Sequence, residues 1–154
     1  MISITFVIIG VTALSLGIWF FWPSTSGHAD ASDPQQVAQG MLVYRQHCAS
    51  CHGFKLEGQP NWRTRRANGR LPAPPHDKTG HTWHHPDKHL FKLTKHGLRP
   101  PLAPKGYKSD MPAFADVLSD EQIWAVLAYI KSTWSTREKE FQERLNRMTQ
   151  KAKE

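Results

Sequence analysis

Apolar and polar positions divide this chain into one long hydrophobic run followed by short helical stripes set in loop. Ile2 to Trp22 carry no charged residue. As a helix at ~1.5 Å per residue the run spans about 31 Å, against a hydrocarbon core of about 30 Å. Trp19, Phe20, Phe21 and Trp22 crowd its far end, where an interfacial aromatic belt lies, and Pro23 stops the helix. The run predicts a retained transmembrane anchor over 1–23. The competing reading is a cleaved secretory signal, with Gly27-His28-Ala29 as its small-residue cleavage site. The length of the run and the lack of Lys or Arg before it favour the anchor.

Residues 24–33 are small and polar, which reads as a linker. Helical spacing then appears three times. Asp33-Pro34 is an N-cap with proline at the first helical position, and Val37, Met41 and Tyr44 follow on one face up to Cys48. His85-Pro86-Asp87 opens a second helix, closed by Lys92, Lys95 and His96 with Gly97 just beyond. Ser119-Asp120-Glu121-Gln122 is a capping box, and Ile123, Leu127, Ile130 and Trp134 form the stripe after it. Thr136 to Glu154 sets Phe141, Leu145 and Met148 at helical spacing among charges, an amphipathic helix suited to a partner, the domain itself or lipid headgroups.

Strand signals hardly occur, so the predicted fold is all-α. It divides into an anchor (1–23), a linker (24–33), a domain of three or more helices (34–134) and the amphipathic helix (135–154). Between the helices, Pro60, Pro72, Pro74, Pro75, Pro100, Pro101, Pro104 and Pro112 forbid long regular elements. So much loop around so few apolar residues is odd for an ordinary domain. It makes sense if loops wrap a large flat apolar cofactor that supplies the missing core.

Cys48-Ala49-Ser50-Cys51-His52 names that cofactor. C-x-x-C-H is the attachment sequence of a c-type haem: two thiols one helical turn apart add to the porphyrin vinyls, and the next imidazole faces the iron. These are the only 2 cysteines in the chain. A thioredoxin-like redox pair would sit beside a βαβ pattern, and a structural zinc would need two more ligands at finger spacing. Neither context is present.

Four matches in order along 34–134 make this sequence resemble the class I, His/Met-ligated cytochromes c. Gly40-x-x-x-Tyr44 is similar to the family's small/aromatic pair on its first helix. Cys48 to His52, then Gly53, is the haem-binding turn. Met111-Pro112-Ala113-Phe114 resembles the methionine loop, and Leu127-Ala128-Tyr129-Ile130 resembles the aromatic-bearing last helix that crosses the first. The resemblance implies one covalent haem c wrapped by the domain, with Cys48 and Cys51 holding the ring and His52 the iron. It also implies a proline carbonyl receiving the second ring N–H of His52, from Pro60 or from the Pro72-Ala73-Pro74-Pro75 run.

For the other axial position, Met41 lies on the first helix close to the attachment turn and Met148 on the charged tail. Met111 stands in a loop before the last helix, on the side of the chain that can reach the opposite haem face, and is the expected ligand. A thioether raises the reduction potential relative to a second imidazole. His76, His81, His84, His85 and His89 with Trp83 form a histidine-rich loop, read either as a copper site or as haem-edge packing. Trp83, His84, Arg63 and Pro75 are the expected haem-edge contacts.

Formal charge is +7, which suits steering onto an acidic partner. The resemblance implies a cytochrome c reductase or a haem-copper oxidase as that partner, and a periplasmic location leaves no nucleic acid to bind. Covalent haem attachment implies the periplasmic face of an inner membrane, with a cytoplasmic amino terminus. The expected function is electron transfer between respiratory-chain components, the protein being a carrier and not itself an enzyme. Competing readings are a fixed haem c subunit of a larger oxidase or dehydrogenase, a haem-based ligand sensor and a copper-handling protein.

Overall fold

The computed structural model of the protein describes residues 27–152, so the run assigned to the anchor lies outside the described residues. Within them the structure is all-helical, without strands, and no helix there is long and apolar enough to cross a membrane.

Helix α1 (Pro34–His47) begins where the sequence predicts. The Asp33 carboxylate accepts from the backbone N–H groups of Gln35 and Gln36, satisfying donors that a helix start leaves orphaned. The chain turns at Cys48 directly into the single turn α2 (Ala49–His52). After a long loop come a 3-10 turn (Thr82–His84) and α3 (Asp87–His96). Helix α4 (Asp120–Ser132) starts from a complete capping box between Ser119 and Gln122, and α5 (Thr136–Lys151) from a second one between Ser135 and Glu138.

The principal packing is α1 against α4. A Cβ on Gly40 would lie 1.9 Å from the Ala125 carbonyl oxygen, so only glycine admits this backbone approach. Tyr44, one turn on, is fully buried and meets the Tyr129 ring at 5.4 Å between centroids. The Tyr44 hydroxyl donates to the Gly53 carbonyl at 2.8 Å, tying α1 to the end of the attachment turn. Ile123, Leu127, Ile130 and Trp134 are all buried, as the stripe predicts. The first-helix face differs from the expected one. Gln36, Gly40, Val43 and Tyr44 are buried, while Met41 is only partly so.

Gln36 is buried because it pins the chain that precedes α1. Its amide donates to the His28 carbonyl at 2.9 Å and accepts from the Asp30 N–H at 2.6 Å. Ala29 is buried as well. The predicted linker is therefore docked on the domain from His28 onward, because these backbone groups find buried partners.

A second polar anchor sits opposite. The Lys131 ammonium reaches the Asp87 carboxylate at 2.6 Å and the Ala29 carbonyl at 3.1 Å. Asn146 of α5 donates to the same Asp87 oxygen at 3.0 Å and accepts from the Asp87 N–H at 2.8 Å. Gln142 adds a bond to the His85 carbonyl at 3.0 Å. One carboxylate thus joins α3, α4 and α5. The tail helix lies on the domain through Phe141, Gln142 and Asn146, whereas Met148, expected on that face, is 68% exposed.

Removing one partner of a buried ion pair strands the other charge and costs about 3–5 kcal/mol. Lys131→Met is expected to lose stability on that scale in guanidinium unfolding of the haem-loaded protein, and adding Asp87→Asn is expected to recover most of it. A wild-type midpoint for Lys131→Met alone would show that the ammonium does not hold this carboxylate.

Candidate haem site

His52, the last residue of the attachment turn, is a buried imidazole with a fixed partner. It is 7% exposed, and its Nδ1 lies 2.8 Å from the Pro74 carbonyl oxygen. A carbonyl only accepts, so the proton is on Nδ1 and the lone pair on Nε2. Burial holds the imidazole below its ordinary pKa, opposed by the Pro74 bond. A neutral imidazole with a fixed tautomer is what a metal ligand requires. Of the two sequence candidates for this acceptor, the Pro72–Pro75 run supplies it, through Pro74; Pro75 itself is buried beside it.

The loop reaches His52 because Gly58 has φ +68° and a Cβ there would lie 2.4 Å from the Pro75 nitrogen. Leu56, buried, adopts a left-handed φ of 65°. Its carbonyl accepts from the His76 N–H at 2.8 Å and the Asp77 N–H at 3.3 Å. Such a conformation in a leucine costs of order 1–3 kcal/mol and persists because the buried side chain and these bonds hold it.

His76 is the residue that sequence reasoning missed at this site. Grouped there with the loop histidines, it stacks on the His52 ring at 4.0 Å between centroids. Its Nδ1 lies 2.8 Å from the Thr82 hydroxyl, and its carbonyl accepts from the Trp134 indole at 2.8 Å. Burial, with His52 and His81 nearby, holds it well below the ordinary histidine pKa. The signal was its place directly after the prolines that face His52.

Cys48 is partly buried against the core and Cys51 is exposed. Burial, with the Cys51 thiolate as a second cause, pushes the Cys48 thiol up to about 11. A thioredoxin-like pair sits beside a βαβ unit, and the described residues contain no strand. Met111 is partly buried and packs on the same hydrophobic cluster as Cys48 and Trp83, its N–H held by the Ser109 hydroxyl at 3.0 Å.

The Trp83 indole N–H is buried without an acceptor, which a haem propionate would satisfy. His84 is exposed and stacks on Trp83 at 3.7 Å; both rings contact Phe141 of α5. Arg63 lies over the Trp62 ring at 4.0 Å. These donors and apolar contacts fit a haem c: two thiols and an imidazole in one turn, a thioether in the cluster and an orphaned indole donor.

His81, His85 and His89 run as a ladder. Trp62 stacks on His81 at 5.7 Å, His81 meets His85 at 5.2 Å, and His85 stacks on His89 at 5.1 Å. Among the described residues no group of three His, Cys, Asp or Glu side chains is placed to hold a metal ion, so the copper reading gains no support.

The profile described as cytochrome C oxidase, cbb3-type, subunit III matches residues 35–130, more than half of the chain. The chain belongs to this family. This cbb3-type subunit III domain is a monohaem class I cytochrome c, which binds one covalent haem c and transfers electrons through it. The cbb3-type cytochrome c oxidase subunit FixP of Sinorhizobium medicae (strain WSM419) is 26% identical over 96 residues, 62% of this chain and 29% of FixP. The chain thus spans under a third of that relative. No solved structure matches it.

Burial, then the neighbouring His81, His89 and His84, lowers His85 from 6.5 to about 4. Between those pH values the unfolded chain binds a proton that the folded state refuses, so stability rises with pH across the interval. Acidification from neutrality is expected to destabilise the protein progressively between pH 6.5 and about 4, and His85→Asn to flatten that slope in thermal melts. Parallel curves for the two proteins would remove His85 as the source.

Proposed function

We propose that the protein is a membrane-anchored haem c relay on the periplasmic side of an inner membrane. It passes single electrons from a cytochrome c reductase to a haem-copper oxidase. Cys48 and Cys51 carry the ring, and His52 and Met111 hold the iron. The observation that carries this reading is the His52–Pro74 bond at 2.8 Å, which presents a lone pair at Nε2 inside the turn that holds both thiols.

Bound haem c supplies a one-electron iron couple. The chain's own residues keep that couple simple. His52 is locked in one tautomer and one rotamer, so its orientation need not change as charge does. Met111 would hold the iron through a soft sulfur, which would favour the reduced metal. Tyr44, Leu56 and Trp134 are all buried and bond Gly53 and His76 beside His52. No proton-transferring residue is required.

The fixed-subunit reading is favoured over a free shuttle by the family's description and by FixP being named as an oxidase subunit. Domain boundaries follow the same reading: anchor over 1–23, haem domain from about 34 to 134, and the amphipathic helix beyond.

Oxidised wild-type holoprotein is expected to show the far-red sulfur-to-iron charge-transfer band. Met111→His is expected to lose the band and lower the midpoint potential, while Met41→Leu and Met148→Leu keep both. A wild-type spectrum without the band at neutral pH would overturn the axial assignment. Purification in mild detergent separates the two roles, since a lone polypeptide contradicts the fixed subunit.

A further inference from the structure

Helix α5 has two faces, and the domain uses only one. Glu138, Phe141, Gln142, Leu145, Asn146 and Thr149 face the domain, buried or partly so. Arg144, Arg147, Met148 and Lys151 stand at i, i+3, i+4 and i+7 toward solvent, and all four are exposed, Arg144 with its guanidinium over the edge residue Phe141 at 5.5 Å. Met148 is 68% exposed, an apolar side chain set among three cations. The acidic residues near it, Glu140 and Glu143, stand toward the first half of the helix, with Glu143 3.7 Å from Arg147. From Arg144 to Lys151 there is no acid.

The helix that carries this stripe ends close to where the chain leaves the described residues. Gly27 and His28 line the same cleft of 480 Å³ as Asn146, Thr149 and Gln150. The chain there is pinned by the Gln36 and Lys131 bonds to the His28 and Ala29 carbonyls, at 2.9 and 3.1 Å. Only Ser24, Thr25 and Ser26 separate Gly27 from Pro23, and four extended steps reach at most about 14 Å. If 1–23 spans the bilayer, the end of α5 is held beside the membrane. The headgroup layer is about 6 Å deep, and charges act over a Debye length of about 8 Å. The end of α5 that borders the same cleft is thereby held close to lipid phosphates.

We infer that the outer face of α5 docks on an anionic membrane surface, with Arg144, Arg147 and Lys151 on headgroup phosphates and Met148 at the acyl boundary. This rests on the anchor assigned above. Basic side chains near an anionic leaflet attract it additively, and one apolar residue among them sets the helix in the interface plane. Docking at the anchor and at α5 together fixes the tilt of the haem domain over the membrane.

The test uses full-length holoprotein, in which Cys48 and Cys51 are consumed as thioethers and Met148→Cys provides the one free thiol. A nitroxide placed there is measured in phosphatidylcholine vesicles with and without phosphatidylglycerol, after recovery by flotation. Collision with a water-soluble nickel chelate is expected to fall several-fold in the anionic vesicles, and high salt or Arg144→Glu, Arg147→Glu and Lys151→Glu together to abolish the fall. The haem spectrum verifies that each variant is folded. Equal exposure in both lipids, or equal protection in both, would overturn the docking while leaving the anchor intact. Failure to float would remove the anchor and the docking together.

Discussion

The backbone of α4 lying against Gly40 is the constraint on which the rest of the structure depends. With the Ala125 carbonyl where a Cβ would stand, at 1.9 Å, any larger residue would drive the two helices apart. That crossing fixes the direction in which α1 runs into Cys48, and so aims the attachment turn. Tyr44 then bonds Gly53 at 2.8 Å and Pro74 bonds His52 at 2.8 Å. Each contact positions the next, from a helix crossing to the tautomer of one imidazole.

Away from that crossing, polar groups do much of the holding. Asp87 joins three helices, and Lys131 spans from it to the Ala29 carbonyl. Such pairs stabilise little in net terms but penalise every wrong arrangement, since a partner left behind is buried and uncompensated. In a domain so rich in proline and loop they specify geometry where the apolar inventory is small. Cys48, Trp83 and Met111 are partly buried on the core, where they would line the large apolar body of a haem.

Signals that depend on neighbouring residues were legible in the sequence. The Asp33 cap, the Ser119 box and the buried stripe from Ile123 to Trp134 follow from spacing alone, and the structure keeps them. The attachment turn was legible because five consecutive residues state its chemistry. Contacts between distant residues were not. Nothing local marks Gln36 as the clasp for His28 and Asp30, or His76 as the ring stacked on His52. Met148 fell on the outer face because Gln142 and Asn146, polar in sequence, find buried partners at His85 and Asp87. A purely apolar stripe cannot anticipate a helix that docks by hydrogen bonds. Ser135-Thr136-Arg137-Glu138 is a capping box that the spacing rules could have identified, and it starts α5.

A pyridine haemochrome spectrum of the protein, matured in a host competent for haem attachment, tests the account most directly. Both vinyl groups saturated by Cys48 and Cys51 predict the α-band of a doubly thioether-linked haem, with colour that stays on the polypeptide through acid-acetone extraction. Haem that extracts into the organic phase, or a colourless polypeptide, would contradict the central claim.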